Sequence, residues 1–253
     1  MNTFLNTYDF RMSRILQEGK SGDFELKKKI IEKGTILNIY DREKGKILKG
    51  QYDFDYPVIV LTENGKVWMS DSQMEVESMS GAVEVARGDA LIGGLGIGLL
   101  PTFLKDKRKI KSIDIIEKNK DVIDLVFCQI ASPRMNIIHS DIFDYLKTTD
   151  KKYDFVQVDI WEDMYAPFEE IEQVRDLAKR CLKTDGIIFC WLQELYDNIK
   201  DRLPKEPVFP TSEVGIHDPC LICGKTFRND YVGLCMDCAD ALGVSELFQR
   251  KDE

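Results

Sequence analysis

Three groups of residues have types and spacings that can do chemistry. The first is the turn Gly93-Gly94-Leu95-Gly96-Ile97-Gly98, which follows a short apolar run at 89–93. Glycine lets a chain turn tightly and lets a ligand come close to the backbone. A helix after such a turn presents free N–H groups to a polar or anionic group. A dinucleotide fingerprint needs G-x-G-x-x-G. Counted from Gly94, its third glycine falls on Leu99, so that fingerprint fails. What stands is G-x-G-x-G, on Gly94, Gly96 and Gly98. Glu117 closes a second apolar run, where a carboxylate can accept from both hydroxyls of a ribose. Asp141 follows a third run, in His139-Ser140-Asp141-Ile142-Phe143. An acid there can accept from an adenine amino group, with Ile142 packed on the ring. Taken singly, each acid reads as a solvated loop residue. Placed together after consecutive strands, they point to one nucleoside.

The second group follows a fourth run at 153–160. Asp159 lies at its end, followed by Trp161, Glu162, Asp163 and Tyr165. A carboxylate at the carboxyl edge of a sheet can orient or deprotonate a nucleophilic amine or hydroxyl. It can also attract a cation, which Trp161 and Tyr165 would flank. A helix-capping acidic loop is the plainer reading.

The third group is Cys220-x-x-Cys223 and Cys235-x-x-Cys238, with 11 residues between the pairs. Two thiolate pairs at this spacing fit a tetrahedral Zn2+ site. With all four positions filled by sulfur, the site is structural. The 34 residues from 220 to 253 cannot bury enough surface alone, and metal binding can supply the missing folding energy. The pattern resembles a treble-clef or zinc-ribbon module.

These groups need elements to position them. From residue 89 the pattern alternates strand and helix, with strands at 89–93, 111–116, 135–139, 153–160 and 187–192. Asn119 can cap a helix with Val122, Leu125, Val126 and Cys128 inward, ended by Pro133. Pro167 opens another, with Ile171, Val174, Ala178 and Cys181 buried. Alternation of this kind implies a parallel sheet with right-handed crossovers, an α/β Rossmann-like architecture. Residues 1–88 read as a helix followed by a β-rich flank, with strands at 36–40, 56–61 and 66–69 and a hairpin turn at Asn64-Gly65. Residues 89–203 form the nucleoside-binding domain. Residues 204–219, with Pro204, Pro207, Pro210 and Pro219, form a linker, and 220–253 the metal module.

Bulk properties exclude some functions. A net charge of −9 argues against general nucleic-acid binding. In the cysteine module, four basic residues are outnumbered by six acidic ones. No apolar run approaches the ~20 residues of a membrane span. With residues 1–20 mixed and polar and without a signal-peptide apolar stretch, a cytoplasmic address is the default expectation. Seven cysteines, an odd number, argue against a disulfide framework. Cys128, Cys181 and Cys190 read as small buried hydrophobes, and His139 as a packed residue. The apolar residues of the flank serve either the core or a homodimer interface.

Over residues 50–200 the sequence resembles the class I S-adenosylmethionine (SAM)-dependent methyltransferase fold, and within it the spermidine synthase (aminopropyltransferase) branch. The likeness rests on Ala90-Leu91-Ile92-Gly93-Gly94-Leu95-Gly96-Ile97-Gly98, Ser112-Ile113-Asp114-Ile115-Ile116-Glu117, Ser140-Asp141 and Tyr153-Asp154-Phe155-Val156-Gln157-Val158-Asp159. It implies that the glycine turn holds the amino-acid part of SAM, Glu117 its ribose and Asp141 its adenine. It matches Asp159 to the catalytic aspartate and Glu162 to a second acid. Gly96 stands where that branch carries an aspartate, and Val76 where it carries a tyrosine. Methyl transfer from SAM to a small acceptor is therefore the first expectation. Aminopropyl transfer from decarboxylated SAM to a polyamine is the alternative, and a non-catalytic binding protein is the third.

Overall fold

Five apolar runs become five parallel strands. The computed structural model describes residues 11–41, 46–161, 168–191, 218–219 and 226–227. The chain divides into two units. One comprises Met1–Ile36, Gln51–Ile160 and Glu169–Trp191; the other comprises Leu37–Gly50, Trp161–Phe168 and Leu192–Glu253.

The first unit opens with a short helix, α1 (Met12–Ile15), and two strands, β1 (Gly19–Ser21) and β2 (Phe24–Ile31). Two strands of the second unit's segment, β3 (Ile36–Asp41) and β4 (Lys46–Gln51), pair with each other. Strands β5 (Tyr56–Glu63) and β6 (Lys66–Ser70) complete an antiparallel sheet of order β1-β2-β5-β6. Asn64 and Gly65, at φ 49° and 86°, make the β5–β6 turn, as a primed hairpin turn requires. Helices α2 (Gln73–Ser78) and α3 (Ser80–Val85) then lead to the parallel sheet.

That sheet contains β7 (Gly88–Gly93), β8 (Ile110–Glu117), β9 (Met135–His139), β10 (Tyr153–Val158) and β11 (Leu182–Cys190). Its order is β11-β10-β7-β8-β9, with every pairing parallel. In chain order this is 3-2-1-4-5, the doubly wound arrangement, and the order reverses between β7 and β10. Strands β7 and β10 are buried almost throughout, as continuous apolar runs covered on both faces should be. The connecting helices are α4 (Leu99–Leu104), α5 (Lys120–Val122) continuing through a π turn (Ile123–Phe127) into α6 (Cys128–Ile130), α7 (Ile142–Thr148) and α8 (Phe168–Lys179). One core runs through both sheets of this unit: Phe24, Leu26, Ile59 and Leu61 share it with Ala90, Ile92, Ile113 and Phe155.

Two buried carboxylates lock the frame. Asp71, just past β6, accepts from the amides of Ile59 (2.6 Å) and Ser13 (3.1 Å), tying α1 to β5 and to the start of α2. Burial raises its pKa despite those bonds. Asp114 of β8 accepts from the Tyr153 hydroxyl (2.7 Å) and Lys151 Nζ (2.6 Å), and Tyr153 meets Tyr145 of α7. Strand β8 is thereby clamped to α7 and β10.

Several expectations need correction. The flank holds a further strand pair, β1–β2, not expected from sequence because Lys27, Lys28 and Lys29 break the alternation of β2. Cys128 is exposed, because the π turn lets the helix face rotate before that residue. Its companions Cys181 and Cys190 are buried as expected. His139 is exposed, with a ring nitrogen 3.0 Å from the Lys118 carbonyl, and is not packed. The fifth strand starts at Leu182, five residues early, with a pairing jump across Asp185-Gly186. In the second unit, Asp218–Pro219 (β12) pairs antiparallel with Thr226–Phe227 (β13). The linker at 204–217, Cys220, Cys223, Cys235, Cys238 and Glu162 lie outside the described residues.

Candidate active site

Ligands of open α/β sheets lie outside the carboxyl ends of the strands, where the order reverses. Here that point is the end of β7 and β10. Gly93 ends β7, and its carbonyl accepts from the Asp159 amide at 3.1 Å. Strand β10 thus ends at Val158, and Asp159 is the first residue beyond it. Gly94 has φ 94°, and a Cβ there would stand 2.5 Å from the Asp159 carbonyl oxygen. Only glycine lets the two strand ends come this close. The same crowding holds at Gly93, where a Cβ would meet Ile142 at 3.0 Å and Val158 at 3.3 Å. Ile142, Gly93 and Asp159 therefore gather at one strand edge.

The turn is held by its own acids and carbonyls. The Gly94 amide donates to Ile116 and the Gly98 amide to Leu95, each at 2.8 Å. Glu117 Oε2 accepts from the Leu95 amide (2.9 Å), and Oε1 from the Asn119 amide (2.7 Å). Glu117 therefore ties the glycine turn to the loop after β8. Each of its oxygens keeps a second lone pair for a ligand hydroxyl. The amides of Gly96 and Ile97 have no acceptor among the described residues. Helix α4 is only six residues long, so these turn amides, rather than a helix end, are the donors on offer.

Asp141 follows β9, which pairs with β8 so that His139 faces Glu117. The Ser140 amide donates to the Glu117 carbonyl at 3.1 Å. Asp141 is the N-cap of α7: Oδ1 accepts from the Phe143 amide at 2.8 Å. The acid expected to meet the adenine is thus also a structural cap, and its Oδ2 has no partner among the described residues. The helix it caps, α7, is not among the elements expected from sequence.

Asp159 has the most altered acidity of the group. Burial pushes its pKa up to about 7, and the negative charge of Glu75 adds to the rise. The residue as a whole keeps some accessible surface. Burial also raises the pKa of Glu75. Neither carboxylate has a hydrogen-bond or ion-pair partner among the described residues. Glu75 was not singled out from sequence; an acid in the first turn of a helix carries no signal of its own there. Cys190, beside β10, has its thiol pushed up to about 12 by burial and is no nucleophile.

A recess of about 360 Å³, lined by Lys105, Asp106, Ser132, Pro133 and Arg134, lies at the opposite, amino ends of β8 and β9. It holds none of the residues above, and the sheet's geometry favours the carboxyl edge instead.

The family model of the spermine/spermidine synthase domain matches residues 89–201, from β7 past the end of β11. That match supports a SAM-dependent transferase. No curated protein sequence matches the chain. Among solved structures, spermidine synthase from Thermotoga maritima is 16% identical with a TM-score of 0.41, over 61% of this chain and 62% of that one. A spermidine synthase in complex with the transition-state analogue AdoDATO is 17% identical with a TM-score of 0.45, over 69% and 56%. A SAM-dependent methyltransferase from Leishmania major is 17% identical with a TM-score of 0.36, over 46% and 48%. The chain spans only about half to three fifths of these three proteins' lengths. The assignment of a Rossmann-like fold rests on the strand order itself.

Proposed function

We propose that the first unit transfers an alkyl group from the sulfonium of SAM, or of its decarboxylated form, to a small-molecule nucleophile, with Asp159 as general base. The observation that carries this reading is a carboxyl group with a pKa of about 7 at the reversal point of the sheet. A base works best when its pKa lies near the working pH. In this reading the open amides of Gly96 and Ile97 face the ligand's side chain, Glu117 takes the ribose hydroxyls, and Asp141 Oδ2 takes the adenine amino group beside Ile142. The acceptor's lone pair forms the new bond to carbon while the carbon–sulfur pair leaves with the thioether. Asp159 takes the proton the acceptor loses.

Methyl transfer is the first reading. The family match favours aminopropyl transfer to a polyamine as the second. Incubation with each sulfonium and a panel of amines, read by mass spectrometry, separates them by the mass added to the acceptor: a methyl group or an aminopropyl group. Failure to modify any amine or hydroxyl acceptor, with ligand bound, leaves a binding protein. Glu162 is proposed as a second acid of the site. Residues 220–253 are proposed as a structural zinc module on Cys220, Cys223, Cys235 and Cys238; the β12–β13 pair brackets the first two in sequence. A cytoplasmic address belongs to the same proposal. Among the described residues, no helix is long and apolar enough to cross a membrane.

A further inference from the structure

Resting on the reading that the glycine turn holds an adenosyl ligand, we infer that Glu75 of α2 is the residue that pairs with the cationic amine of that ligand's side chain. An amine held beside a glycine turn needs a carboxylate within reach. The turn itself has none: residues 92–98 are Ile-Gly-Gly-Leu-Gly-Ile-Gly. Ile92 is buried in the core. At position 96 a Cβ would stand 2.5 Å from Met69 Sδ at a left-handed φ of 51°, so a side chain there would be strained and would have to displace the Met69 thioether. A thioether thus fills the space into which an acid at 96 would project.

The chain that supplies Met69 also supplies a carboxylate. Met69 is the penultimate residue of β6. Two residues on, Asp71 is pinned by the Ile59 and Ser13 amides, which fixes the path from the glycine turn into α2. Glu75 lies in the first turn of that helix. It is close enough to Asp159 for the two charges to repel, and Asp159 in turn touches Gly94. Two segments, 69–75 and 158–159, therefore meet the turn at 93–98, and Glu75 brings a carboxylate with no partner among the described residues. Its neighbour Glu77 differs: the Gln73 amide group donates to it at 2.8 Å. Two carboxylates that repel one another are relieved by a cation between them. Asp159 serves the acceptor, and Glu75 remains for the ligand's amine.

Calorimetry on the full chain tests this with two thioethers that differ in the amine: 5′-(3-aminopropyl)thioadenosine and 5′-methylthioadenosine. Wild-type protein is expected to bind the first at least tenfold more tightly. Glu75→Gln is expected to erase that preference while leaving the second ligand's affinity within about twofold, and Glu77→Gln to leave both unchanged. Equal wild-type affinity for the two ligands overturns the inference whatever the variants do. So does an equal loss for both in Glu75→Gln, which marks a structural role, or a raised KM for the acceptor with the amine preference intact. If wild-type protein binds neither ligand, the adenosyl reading itself falls, and this inference with it.

Discussion

At the scale of the residue, the proposed chemistry turns on Asp159. Its pKa of about 7 means that the fraction competent to accept a proton rises through neutrality. The value of kcat/KM is expected to climb about tenfold per pH unit below 7 and to level off above it. Asp159→Asn should lower turnover about 100-fold or more in a mass-resolved assay, without loss of ligand binding. The same group links stability to pH. Unfolded, it ionises near 3.8; folded, it keeps its proton to about 7. Between those values the native state binds more protons, so its contribution to stability falls as pH rises through that window. Asp159→Asn should therefore raise the melting temperature by several degrees at pH 8 (roughly 1–3 kcal/mol, allowing for the residue's partial exposure) and by little at pH 4. A variant that is inactive but more stable is the mark of a site held under electrostatic strain. The positions of Glu117 and Asp141 after consecutive strands were legible from sequence. Glu75 was not, because its interest comes only from the fold that sets it against Asp159.

At the scale of the element, close approach governs. Gly94→Ala forces a methyl group onto the Asp159 carbonyl at a left-handed φ. It should cost about 2 kcal/mol or more by urea denaturation and weaken ligand binding together with stability. Tyr153→Phe tests the Asp114 clamp, removing one donor while Lys151 still pairs. A loss of about 1–2 kcal/mol is expected, with ligand affinity unchanged. The strands were legible where their pattern is strong: continuous apolar runs gave β7, β8 and β10, and Asn64-Gly65 gave the β5–β6 hairpin. Elements were missed where local signals conflict. Helix α7 is short and starts on an acid that was assigned a ligand. Strand β2 carries Lys27, Lys28 and Lys29, which are exposed and break the alternation. The π turn cannot be read from a 3.6-residue period, so the exposure of Cys128 was unforeseen.

At the scale of the whole molecule, the Rossmann-like sheet was legible from strand–helix alternation alone, and its order now puts the glycine turn and Asp159 at one edge. The helix and strands expected in residues 1–88 fall partly in each unit, since Leu37–Gly50 belongs to the second. Cysteine spacing is a local signal and does not depend on that division. One zinc per chain by elemental analysis is expected, and Cys223→Ser should lower both that ratio and the stability of the C-terminal region to proteolysis.

The central claim is that a glycine turn and two carboxylates, Glu117 and Asp141, meet on one adenosine. Titration calorimetry with S-adenosylhomocysteine tests it most directly. The account expects saturable binding at one site per chain, weakened at least tenfold by Glu117→Gln and by Asp141→Asn, with folding intact by circular dichroism. Absence of binding to the wild-type chain, or full affinity in both variants, would contradict it.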